Sequence, residues 1–187
     1  MKRFMVYLLN DKYNRQDASG LLIRARNLVA ESSVILRDIR VATHFLEIDM
    51  SISDGFQLAP TLSLLGNIAP LVEYQEIEEN KLEKKDSINY AIALFNSEKY
   101  WRTHEILEGV WKHSENTEKQ ILNSIILISA AFVHYQKNEG DICIGILERA
   151  LQKLGDAEGD YFGMDLSTIK AKVAKIIKTR IVEKLTI

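Results

Sequence analysis

The first part of the chain alternates short apolar runs with segments of helical spacing. Residues 4–9 form an apolar run of buried-strand length. Asp17 or Ser19 stands where a cap would open a helix to about Glu31, with Leu21, Leu22, Ala25, Leu28 and Val29 on one face. Residues 34–39 and 44–48 read as two further strands. In the second, Phe45, Glu47 and Asp49 alternate with His44, Leu46 and Ile48. Ser53 predicts another helix start, with Asp54 near its positive end and Pro60 as a kink or restart. A last strand over 71–77 follows Pro70. The order β-α-β-β-α-β predicts a ferredoxin-like unit. That scaffold hosts many unrelated functions, so it carries no functional inference.

Beyond residue 82 no strand pattern is found, and five helices are predicted at about 82–95, 98–112, 117–138, 141–154 and 166–183. The short breaks between them favour antiparallel neighbours: two helical hairpins plus a closing helix. The mixed-charge stretch 76–86 marks the expected division, giving an N-terminal ferredoxin-like domain at 1–77 and an all-α domain at 78–187. Basic residues are mostly arginine before this stretch and mostly lysine after it, which fits two modules. The fold class is therefore α+β. Glu105-Ile106-Leu107-Glu108 recurs forty positions on as Gly145-Ile146-Leu147-Glu148. Two units are too few for a repeat array, so the echo reads as common helix chemistry.

Segment 98–112 carries the candidate chemistry. On a helical wheel Tyr100, Thr103, Leu107, Val110 and Trp111 share one face. His104 lies at its edge, Glu108 one turn further on, and Glu105 further out, while Arg102 and Gly109 point the opposite way. An imidazole and a carboxylate four residues apart can share a proton, a hydrogen bond or a metal ion. Helix 117–138 is apolar nearly all round, which predicts a central position. Its one small or polar stripe, Asn123, Ser124, Ala130, Ala131 and His134, is expected to receive His104 and Glu108. The expected site is thus a semi-buried cluster of His104, Glu108 and His134, with Glu105 at its mouth and Trp111 alongside.

Composition narrows the functional classes. Lys+Arg is 24 and Asp+Glu is 26, too balanced for a strongly basic nucleic-acid protein. The lysines of the last helix read as a solvated face, not a nucleic-acid surface. One cysteine, Cys143, excludes a disulfide framework and a Cys-rich zinc site, and reads as a small core residue. The apolar start is too short for a secretory signal, and the longest apolar stretch, 125–133, is far below the ~20 residues of a bilayer span. The expectation is a cytoplasmic protein with no nucleic-acid or membrane partner.

The pattern Phe95-Asn96-x3-Tyr100-x3-His104-Glu105-x-Leu107-Glu108-x2-Trp111 resembles the signature of the DUF309 family of prokaryotic helical proteins, of the TTHA0068-like fold. The resemblance continues through Ala130-Ala131-x2-His134, Leu147-x2-Ala150-x2-Lys153-Leu154 and Gly163-Met164-Asp165, covering about 87–180. It implies an all-α domain of two helical hairpins and matches His104, Glu105, Glu108 and Trp111 to motif positions. It brings no catalytic assignment, and the N-terminal part lies outside it.

Three readings of the cluster stay open. One is a structural hydrogen-bond network. Another is a divalent-metal or small-ligand site at His104 and Glu108, with or without His134, whose chemistry suits zinc, iron or manganese. The third is general acid/base chemistry. His-Glu-x-x-His is not met, because Glu108 stands where the second histidine should be. The leading expectation is a non-catalytic binding or assembly module, a homo-oligomer or one with a protein partner. The alternative is a metal-dependent, hydrolase-like enzyme.

Overall fold

A computed structural model describes residues 1–30, 33–78 and 82–187. Glu31, at the expected end of the first helix, and 79–81, inside the charged stretch, lie outside the described residues. The chain is α+β, with a four-stranded antiparallel sheet in its N-terminal part and helices after it. It divides into two compact units, one of residues 1–79 with 136–138 and the other of residues 80–135 with 139–187.

In the first unit the elements are β1 (Lys2–Leu9), α1 (Ala18–Leu28), β2 (Val34–Val41), β3 (Phe45–Ile52), α2 (Leu58–Leu65) and β4 (Leu71–Glu76). The sheet order is β2-β3-β1-β4. Period-2 alternation decides which residues meet α1 and α2. Phe4, Val6 and Leu8 of β1 and Leu46, Ile48, Met50 and Ile52 of β3 join Leu21, Ala25, Leu62 and Leu65 in one core. Pro60 causes no kink. The helix starts later than Ser53 predicts, at Leu58, which puts Pro60 in the first turn, where its missing N–H has no intrahelical partner to lose.

The alternate residues of β3 carry buried charge. Glu47 pairs with Arg40 of β2, both less than 3% exposed. Asp49 takes a two-pronged contact from Arg3 of β1, at 2.9 and 2.6 Å. Burial and the neighbouring Glu47 push the Tyr7 phenol well above its ordinary value. Removing one member of such a pair strands a desolvated charge, which fixes the strand register more sharply than apolar contact alone.

The second unit holds α3 (Lys84–Asn96), α4 (Tyr100–Trp111), α5 (Asn116–Gln136), α6 (Gly140–Leu154) and α7 (Leu166–Thr179). Contrary to the strand-free expectation, β5 (Asp160–Tyr161) and β6 (Met164–Asp165) form a small hairpin. Phe162 and Gly163 both have positive φ, the turn geometry that suits a tight hairpin. Asp165 then caps α7, accepting from the Ser167 and Thr168 amides and the Thr168 hydroxyl, and these bonds hold its carboxyl below the usual range.

An aromatic group joins the hairpins. Phe95 lies 4.9 Å from Tyr100 and 5.8 Å from Phe132, ring centre to ring centre, and all three are buried. The tail after α7 returns along the same unit, where Asn96 exchanges two 3.0 Å bonds with the Ile187 backbone and Leu185 is buried. Cys143 is buried in this core, as its reading as a small core residue predicts.

Candidate functional site

The site stands on α4, and the turn before it sets where α4 begins. The Glu98 amide donates to Phe95 O and the Lys99 amide to Leu94 O, the paired bonds of a Schellman cap. Glu98 occupies the left-handed position at φ 63°, where glycine is usual. The Thr103 hydroxyl then reaches Lys99 O at 3.2 Å and Ala91 O at 3.4 Å, seating α4 against α3. Tyr100, Thr103, Ile106, Leu107 and Val110 face inward, as the wheel requires. Arg102, expected to point away from the core, is also buried. The wheel locates its Cα direction, but a long side chain can fold back under neighbouring elements.

His104, Glu105 and Glu108 all lie half-buried at the rim. Each can offer one ligand atom such that the three lie within 4.8 Å of one another, and among the described residues this is the group of metal-binding type. His104 Nδ1 is 3.5 Å from Glu105 Oε1. Glu108 Oε1 is 3.3 Å from Lys112 Nζ. Glu105 is therefore a full member of the cluster, closer in than a residue at its mouth.

His134 is not in the group; its Nδ1 meets the carboxylate of Glu139, the residue just before α6. The stripe expected to receive His104 serves α6 instead at Ser124, whose hydroxyl donates to Ala150 O at 2.8 Å. Small residues on a central helix predict a close neighbour without saying which one. Trp111 is half-buried, with Lys119 Nζ 4.8 Å from its ring centre and its buried indole N–H without a hydrogen-bond partner.

The residues missed by sequence reasoning are those that brace this region. Glu118 of α5 accepts from Lys84 of α3 at 2.6 Å and from Tyr161 at 2.9 Å. The Lys84 bond, more than any other contact, holds the Glu118 carboxyl below its ordinary value. An acidic residue in the first turn of a helix was a readable signal, but its partners, 34 and 43 residues away, were not.

Three hydrogen-bonding or ligating groups, half open to solvent, can hold a cation or a polar ligand. Ligands on one zinc-like ion at about 2.1 Å stand at most ~4.2 Å apart. The 4.8 Å spread thus closes with a small rotamer change.

Residues 88–145 match the model of the domain of unknown function DUF309. The C-terminal resemblance is therefore shown. No curated protein matches the chain. Among solved structures, the crystal structure of conserved hypothetical protein TTHA0068 from Thermus thermophilus is similar, at 20% identity and a TM-score of 0.43. The similarity covers 48% of this chain and 94% of that one. No described helix is long and apolar enough to cross a membrane.

Proposed function

We propose that this chain is a binding module whose helical unit takes a divalent first-row metal ion at His104, Glu105 and Glu108. The observation that carries this reading is the convergence of one imidazole and two carboxylates within 4.8 Å on one helix rim. One nitrogen and two oxygens suit zinc, manganese or iron(II) and leave a coordination position open. Lys112 competes with the ion for Glu108, so Lys112→Met tightens metal binding. In the same reading the N-terminal unit is ferredoxin-like, supported by its element order and the sheet order β2-β3-β1-β4. Residues 1–77 and 78–187 are then separate domains.

The test is elemental analysis of untagged parent and His104→Ala protein, followed by titration with zinc, manganese and iron(II). Near-stoichiometric metal in the parent and none in the variant is the expected result. A parent that neither retains nor binds any of the three overturns the reading. Metal-dependent hydrolysis that is lost in His104→Ala would replace the binding module with the enzyme alternative.

A further inference from the structure

Asn96 ends α3, and Phe95-Asn96 opens the sequence signature, yet the metal site makes no use of it. Its side-chain amide is spent on backbone instead. Nδ2 donates to Ile187 O and Oδ1 accepts from the Ile187 amide, both at 3.0 Å. Near the end of α5, the Tyr135 hydroxyl donates to Val182 O at 2.9 Å. Lys184 Nζ lies 3.1 Å from Glu98 Oε1, in the turn after α3. Side chains at the ends of α3 and α5 thus grip the main chain of 182–187 as a receptor grips an extended peptide.

The side chains of the segment complete the likeness. Leu185 is 1% exposed and joins the core of Phe95 and Phe132, and the half-buried Val182 and Ile187 pack against it. Main-chain bonds are indifferent to sequence, so selectivity rests on the spacing of these three apolar residues. The hold is light. Arg180, at φ 55°, ends α7, and 181–187 have no regular structure. Glu183 pairs with Lys175 of α7, on the near side of the segment's attachment. One fully buried leucine and a few polar contacts must offset the conformational entropy of ordering seven residues. Such a segment opens locally while the helices stay folded.

We infer that the ends of α3 and α5 form a peptide-docking surface that 181–187 keeps closed, and that its partner is an extended segment of another protein with apolar residues spaced as Val182, Leu185 and Ile187. The same segment from a second copy fits no better than the one already tethered beside the surface at high effective concentration. This inference is independent of the metal site.

The test uses a fluorescein-labelled synthetic peptide of residues 181–187 and full-length protein, with binding read by anisotropy and folding by circular dichroism. Leu185→Asp, which dislodges the tethered segment, binds the peptide about tenfold more tightly than the parent, because the parent is open only a fraction of the time. A peptide carrying the same Leu185→Asp change does not bind. Adding Asn96→Ala to the Leu185→Asp protein removes two hydrogen bonds and weakens binding by about tenfold. Amide exchange in the parent gives a second measurement, free of any substitution: the Ile187 amide exchanges much faster than the interior amides of α3 and α5. A folded Leu185→Asp protein that fails to bind the peptide overturns the inference, as does equal binding by parent and variant, or an Ile187 amide protected as well as the helices. A parent dimer that Leu185→Asp abolishes would give the surface to a second copy and overturn the assignment to another protein.

Discussion

The two helical hairpins share a turn but not a rim. α3 ends at Asn96 and α4 starts at Tyr100; α5 ends at Gln136 and α6 starts at Gly140. Glu98 and Asn138 hold the same left-handed position, at φ 63° and 64°. The Lys99 amide donates to Leu94 O, and the Glu139 amide to His134 O. Every correspondence is forty residues apart, the spacing of the faint sequence echo. At that offset the positions of His104 and Glu105 are taken by Ile144 and Gly145. The second hairpin builds the same turn with an isoleucine and a glycine there. The helix-turn-helix itself therefore needs neither a histidine nor a glutamate at those places, which weighs against a purely structural role for the rim cluster.

The comparison can be broken first at its largest difference. Phe95 is fully buried against Tyr100 and Phe132, whereas its counterpart Tyr135 is half-buried and bonded through its hydroxyl to Val182 O. Phe95→Ala should cost about 3–5 kcal/mol in denaturant unfolding. Tyr135→Phe should cost about 1 kcal/mol, the value of one hydrogen bond. Equal losses would show that the hairpins are packed alike and that the asymmetry between them is wrong.

A smaller effect tests the shared turn. Asn138→Glu copies the first hairpin into the second. Glutamate tolerates positive φ less well than asparagine, so the variant should lose about 1 kcal/mol by thermal unfolding. An unchanged melting temperature would mean that the turn does not constrain the second hairpin.

The tie between hairpins is gated by pH. The folded-state value of Glu118 is depressed, chiefly by the Lys84 bond, so its contribution is present above the ordinary carboxylate value. It is lost as pH falls through the folded-state value. Lys84→Met should flatten this part of the stability-versus-pH curve, and a variant curve parallel to the parent's would rule the tie out. The smallest expected effect belongs to the double change His104→Ile with Glu105→Gly, which grafts the second rim onto the first. Its rim residues are half-exposed, so the two effects should sum to no more than about 1 kcal/mol, most of it from glycine inside a helix. Metal binding, in contrast, should disappear.

Most of this architecture was legible because periodicity is a local property. The long apolar-patterned elements of the sheet and hairpins carry their 2.0 or 3.6 spacing in the residues themselves. What escaped was set by residues distant in sequence. The alternation on β3 announced Glu47 and Asp49 but not Arg40 or Arg3 as partners. The wheel put His104, Glu105 and Glu108 together at a rim because one helix holds all three. It misjudged His134, since pairing across helices depends on which neighbour arrives, and a carboxylate five residues on took the ring instead.

The strand pairing also bears on the order in which the molecule assembles. Each hairpin turn closes within a few residues, as when the Lys99 amide meets Leu94 O. The register that sets Phe4 opposite Glu76 must instead close almost the whole N-terminal unit before its ladder gains anything. During refolding the hairpin amides should gain protection from exchange early, while those of β1 that face β4 wait for the last strand to arrive.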